Sequence, residues 1–148
     1  FSELKVGEEF FSTCTISKKE LESYLAFARI KNVIFDFGSN GSSLVSGRAI
    51  LARMEGEFTR LSQIYGNAIL FYGTDGDKDW DHRNTRFLKP LRTDQVLKIK
   101  FTIADKTDAD NDYGMIVVNY EGKTEDGELV VVSKRNLYRI KKEPPRNQ

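Results

Sequence analysis

The sequence holds one histidine, His82, and one cysteine, Cys14. A lone cysteine excludes an internal disulfide and any cysteine cluster for zinc or iron–sulfur. A lone histidine excludes a paired-histidine metal site within one chain; no metal site and no cofactor are expected. It also makes every histidine-based acid–base mechanism depend on one position. His82 stands in Asp79-Trp80-Asp81-His82-Arg83. It reads either as a titrating group between carboxylates or as a plain strand-edge histidine. Asp36 is the one ionisable group in the apolar run Val33-Ile34-Phe35-Asp36-Phe37. It is either an acid–base carboxylate or an exposed loop carboxylate. Ser46-Gly47 open a helical pattern. Free backbone amides at a helix start can hold a developing oxyanion, and glycine lets a ligand come close. Helix capping alone accounts for the same two residues.

The 148 residues are enough for one domain with a substantial core. We assign residues 1–143 to that domain and 144–148, with Pro144-Pro145, to a frayed tail. Lys and Arg number 23 against 22 Asp and Glu, a net charge of +1. That balance supplies no global field for nucleic acid or an acidic membrane. Hydrophobic residues make up 39% and charged residues 30%, a globular composition. No apolar run approaches the ~20 residues that span a bilayer. With a free cysteine and no targeting signal, the expected location is cytoplasmic.

The elements that would carry these residues follow from spacing. Leu4 to Phe11 reads as a strand or turn, and Thr13 to Ile16 as β-branched strand. Ser17-Lys18-Lys19-Glu20 is a capping box. Leu21, Tyr24, Leu25 and Ala28 follow at helical spacing, predicting a helix to about Ile30. Gly38 to Ser43 is a loop. From Ser46, the residues Leu51, Met54, Phe58, Leu61 and Tyr65 predict a long helix that stops at Gly66. Strands are predicted at Ala68–Tyr72, Asn84–Leu88, Val96–Ile103, Met115–Tyr120 and Leu129–Ile140. Asp105–Asp112 reads as an acidic loop and Glu125-Asp126-Gly127 as a turn. The class is α+β: a long central helix wrapped by a curved antiparallel sheet of about five to six strands.

Asn84-Thr85-Arg86-Phe87-Leu88-Lys89-Pro90-Leu91-Arg92, followed by Leu97, resembles the strand signature of the MaoC-like hot-dog dehydratases and (R)-specific enoyl-CoA hydratases. Leu44-Val45-Ser46-Gly47-Arg48-Ala49-Ile50-Leu51-Ala52 resembles the start of their central helix, and Leu4, Val6, Gly7 and Glu8 their opening strand. The matching blocks run in the same order along nearly the whole chain. The resemblance implies a hot-dog fold and a role in fatty-acid metabolism with acyl thioesters of coenzyme A or a carrier protein. It also implies a homodimer, with higher oligomers and heterodimers as variants. Members of the family are hydro-lyases that add or remove water at an acyl thioester double bond, using an Asp and a His in D-x-N-P-x-H before the central helix.

The sequence departs from the family at that motif. With Asn32 on the family asparagine, Ile30 falls on the Asp position, Val33 on the Pro and Phe35 on the His. Phe35 then fills the histidine's space beside the ligand. Asp36 and His82 remain as displaced acid–base candidates. On this reading Ser46 and Gly47 would hold the thioester, while Lys89 and Arg92 read either as contacts to the phosphates of its carrier or as exposed cations at a strand end. Some hot-dog thioesterases carry a carboxylate on the central helix, and Glu55 and Glu57 stand there; both also read as carboxylates on the solvated side of an amphipathic helix. Three readings follow: a hydratase or dehydratase with displaced groups, a non-catalytic acyl-CoA-binding or structural subunit, and an acyl-CoA thioesterase.

Overall fold

The computed structural model describes residues 1–32, 34, 42–74 and 84–142. Among them the order is β1 (Glu9–Cys14), α1 (Lys18–Ala28), α2 (Gly47–Thr59), β2 (Ile69–Thr74), β3 (Thr85–Phe87), β4 (Leu97–Asp108), β5 (Tyr113–Thr124) and β6 (Leu129–Lys141). The strands make one antiparallel sheet in the order β1-β4-β5-β6-β2. β3 pairs with Val131–Ser133 of β6, and β2 pairs with Asn136–Ile140. Two short strands thus lie end to end along one long strand.

The alternation in β4 decides which face α2 covers. Leu97, Ile99, Phe101 and Ile103 are each at most 1% exposed, whereas Lys98 points to solvent. They pack against Met54 and Phe58 of α2, both fully buried, with the Phe58 and Phe101 rings 5.4 Å apart. Burying each such side chain is worth roughly 1.5–3 kcal/mol. Gly122 on β5 lets the helix come this close. A Cβ there would lie 3.0 Å from Val131, 3.1 Å from Leu97 and 3.6 Å from Met54.

The capping box forms as spaced. Ser17 Oγ accepts from the Glu20 amide at 3.1 Å, and the Ser17 amide donates to Glu20 Oε1 at 3.0 Å. α1 ends when Arg29 turns left-handed, at φ 56°. Arg53 of α2 pairs with Glu20 and donates to the Thr15 carbonyl at 2.8 Å, which ties the two helices together.

Several expectations shift, among them the strand predicted at Met115–Tyr120, which runs Tyr113–Thr124. The predicted helix 46–66 stops at Thr59, and residues 60–66 form turns closed by Arg60 N–H to Glu57 O and Leu61 N–H to Phe58 O. These bonds keep Ile64 in the core at 1% exposed, so the helical spacing persists past the helix, while Tyr65 is 77% exposed. Residues 105–108, assigned to a loop, continue β4 past a bulge at Ala104. Their pairing with β5 needs only backbone groups, so polar side chains do not end it. The strand predicted at 84–88 is shorter, Thr85–Phe87, although the Leu88 amide still bonds Val130 O at 2.7 Å. At the N-terminus one strand, Glu9–Cys14, replaces the two expected pieces, and Leu4 to Gly7 form turns.

Candidate functional site

Two of the three sequence blocks that carry the resemblance meet in space. Leu44 bridges Arg92 in antiparallel fashion. The Val45 amide donates to Leu91 O at 2.8 Å, and the Thr93 amide donates to Ser43 O at 2.8 Å. Buried Thr93 Oγ1 also accepts from the Ser43 amide at 3.0 Å. This clamp fixes the chain just before α2. One turn later, Phe87 of β3 covers Gly47, and a Cβ on Gly47 would lie 2.8–2.9 Å from its ring.

Ser46 occupies the N-cap position but its side chain makes no capping bond, unlike Ser17. The first intrahelical bond is Ile50 N–H to Ser46 O at 3.0 Å. The earlier amides of α2 have no side-chain acceptor among the described residues, and their partial positive charge faces outward from the helix end.

Glu55 and Glu57 point to different strands. Glu57 Oε2 accepts from Ser12 Oγ on β1 at 3.3 Å. Glu55 Oε2 accepts from the Tyr138 hydroxyl on β6 at 3.0 Å, and Tyr138 Oη in turn shares a short hydrogen bond with Tyr120 Oη on β5. Both tyrosines are at most 3% exposed. Burial pushes each phenol far above its usual range; the neighbouring Tyr120 and then Glu55 push Tyr138 further. Sequence reasoning missed this chain. Tyr138 alternates like any inward apolar residue, and Glu55 lies 83 positions away.

Lys89 is exposed and pairs with Glu128 at 2.8 Å, and Arg92 is exposed with its amide on Gln95 Oε1 at 2.7 Å. Such a surface pair is worth about 0–1 kcal/mol, so Lys89 can exchange it for another anion. The inner sheet face carries a second feature the sequence did not signal. Thr85 Oγ1 and Ser133 Oγ bond at 2.8 Å, and Asn136 Nδ2 donates to Ser133 Oγ at 3.1 Å and to Val118 O at 3.2 Å. Phe35, Asp36, His82 and the tail 144–148 lie outside the described residues.

No family model and no curated protein matches the chain. Solved structures do. A monoamine oxidase regulatory protein from Archaeoglobus fulgius shares 18% identity over 97% of this chain and 95% of its own, with a TM-score of 0.73. The (R)-hydratase PhaJ1 from Pseudomonas aeruginosa shares 15% over 98% and 85%, at 0.68. A hypothetical thioesterase from Streptococcus pneumoniae, solved with coenzyme A, shares 12% over 98% and 86%, at 0.55. The chain therefore has the hot-dog fold, in the form seen in MaoC-like dehydratases and (R)-hydratases. At these identities the likeness fixes the fold and leaves the chemistry to the residues. Among the described residues, no helix is long and apolar enough to cross a membrane.

Proposed function

We propose that this hot-dog chain binds acyl thioesters of coenzyme A or a carrier protein at the N-terminus of α2. The reading is carried by the uncapped first turn of α2, clamped in place by residues 91–93 and shielded by Phe87. Its amides suit a thioester carbonyl oxygen, and exposed Lys89 and Arg92 suit the carrier's phosphates. Two copies would join along the β2–β3 edge, where Leu70, Phe71, Tyr72, Phe87 and Leu88 are each 45–64% exposed. The positions of the hydratase Asp and His hold Ile30 and Phe35, so hydration would need displaced groups, Asp36 or His82. Calorimetric titration with acyl-CoA and an assay for loss of crotonyl-CoA enoyl absorbance test this. Saturable binding without turnover is expected. Neither binding nor turnover sinks the reading, and efficient hydration restores the hydro-lyase assignment.

One observation favours thioester hydrolysis as a second reading: Glu55 is held by a buried donor. Glu55 lies eight residues beyond Gly47 on α2. That is about 12 Å along the axis. A carbonyl held at Gly47 would therefore meet a Glu55 only from a second copy of the chain.

A further inference from the structure

We propose that Tyr138, backed by Tyr120, is a positioning residue that aims Glu55 to activate water; the inference rests on the thioester-hydrolysis reading. Tyr138 is the one hydrogen-bond partner of Glu55 among the described residues, and it takes only Oε2. Glu55 itself is half-buried, and Oε1 is not among the buried side-chain atoms left without a partner.

The proton count gives the chain a direction. Each phenol carries one hydrogen. When Glu55 is ionised, Tyr138 must donate to it, and Tyr120 must then donate to Tyr138. Both hydroxyls are thus satisfied in one arrangement that points toward the carboxylate. Aromatic rings hold that arrangement: Phe58 packs 5.3 Å from the Tyr138 ring, and Phe71 sits edge-on at 5.5 Å. Phe101 meets the Tyr120 ring edge-on at 5.3 Å. A carboxylate on a helix surface normally samples several rotamers. Here one oxygen is anchored to a buried phenol, and the other has no hydrogen-bond partner among the described residues.

The step balances with water as co-reactant. Glu55 Oε1 takes a proton as the water oxygen bonds to the thioester carbonyl carbon, and the C=O π pair moves onto oxygen. Collapse of that adduct re-forms the C=O and breaks the C–S bond. The departing thiolate takes the proton back from Glu55, giving a carboxylic acid and a thiol.

The test measures thiol release from acetyl-, butyryl- and octanoyl-CoA by the wild type and by Tyr138→Phe, Tyr120→Phe and Glu55→Gln. Glu55→Gln should lower kcat by about 10²-fold or more. Tyr138→Phe should lower kcat by about tenfold with KM held within about twofold, and should cost nothing further on the Glu55→Gln background. Tyr120→Phe leaves the Tyr138–Glu55 bond in place and should give a smaller kcat loss that also vanishes on that background. Wild-type kcat in both phenol variants overturns the proposal, as does a loss that repeats in full without Glu55. Should Tyr138→Phe not fold, Tyr120→Phe decides by the same criteria. A wild type that releases no thiol overturns the hydrolysis reading itself, an outcome separate from active enzyme with indifferent tyrosines.

Discussion

The ring of Phe87 on β3 closes over the Cα of Gly47 in the first turn of α2, so that a methyl group there would lie 2.8 Å from Phe87 Cζ. No Cβ tolerates that distance, so in Gly47→Ala the ring must swing outward. The ring is 45% exposed within one chain and lies on the edge where two copies would join, so its swing loosens that contact. Alanine favours the helix by up to about 1 kcal/mol, which offsets part of the loss. The melting temperature should therefore fall only modestly. Acyl-CoA affinity should fall by about tenfold, or 1.4 kcal/mol, because the methyl and the displaced ring both crowd the open amides. Calorimetric titration beside a thermal melt checks this, and unchanged affinity would remove Gly47 from the ligand site.

What sequence reading captured depended on the range of the interaction. Ser17 and Glu20 stand three apart, and their reciprocal bonds are dictated by spacing alone. The alternation of Leu97, Ile99, Phe101 and Ile103 likewise declares a buried face without reference to a partner. Ser46 looked equivalent to Ser17 but makes no capping bond, because the incoming chain is set by Leu91–Thr93 rather than by the helix it starts. The end of α2 was illegible for the opposite reason: tight turns after Thr59 leave Ile64 on the core side, which imitates another helical turn. Glu55 was legible only as a carboxylate on a helix. Its tie to Tyr138 depends on how β6 is laid beneath α2, which no local pattern encodes.

Gly122→Ala should destabilise the fold. The added methyl would press on Val131 at 3.0 Å and Leu97 at 3.1 Å, both fully buried and unable to yield. Overpacking of this kind costs about 1–3 kcal/mol. Urea unfolding should show a lower midpoint with an unchanged slope. Combining Gly122→Ala with Met54→Ala, which opens space on the helix side, should not fully restore stability, since the tightest contacts are with the strands.

The capping box of α1 should give an acid-sensitive contribution. The backbone N–H of Ser17 is the main group holding the Glu20 carboxyl below its usual range, with the Ser17 hydroxyl and Arg53 adding to it. A depressed folded-state pKa means this stabilisation is present above the unfolded value, near 4.3, and is lost as pH falls through the folded one. Glu20→Gln should therefore lower the melting temperature at pH 7 and leave a flatter acid limb. Ser17→Ala should cost about 1 kcal/mol at neutral pH. Melting curves from pH 2 to 7 check both, and an acid limb unchanged in Glu20→Gln would show that the carboxylate contributes nothing.

The alkaline limb should belong to Tyr120 and Tyr138. Burial is the largest cause of the rise in both phenols' folded-state pKa. In the unfolded chain each ionises near 10. The folded state therefore binds these two protons more tightly than the unfolded state. Their stabilisation is complete below about pH 10 and is lost progressively as pH rises above it. Of the six tyrosines, these two should form tyrosinate only as the chain unfolds, giving a late absorbance step that coincides with loss of circular dichroism. Tyr120→Phe removes one such group while leaving Tyr138 bonded to Glu55, so the alkaline loss of stability should become shallower and the late step smaller. A late step of full size in Tyr120→Phe, or tyrosinate from all six residues before any loss of structure, would mean that the Tyr120–Tyr138 pair is open to solvent and does not hold Glu55.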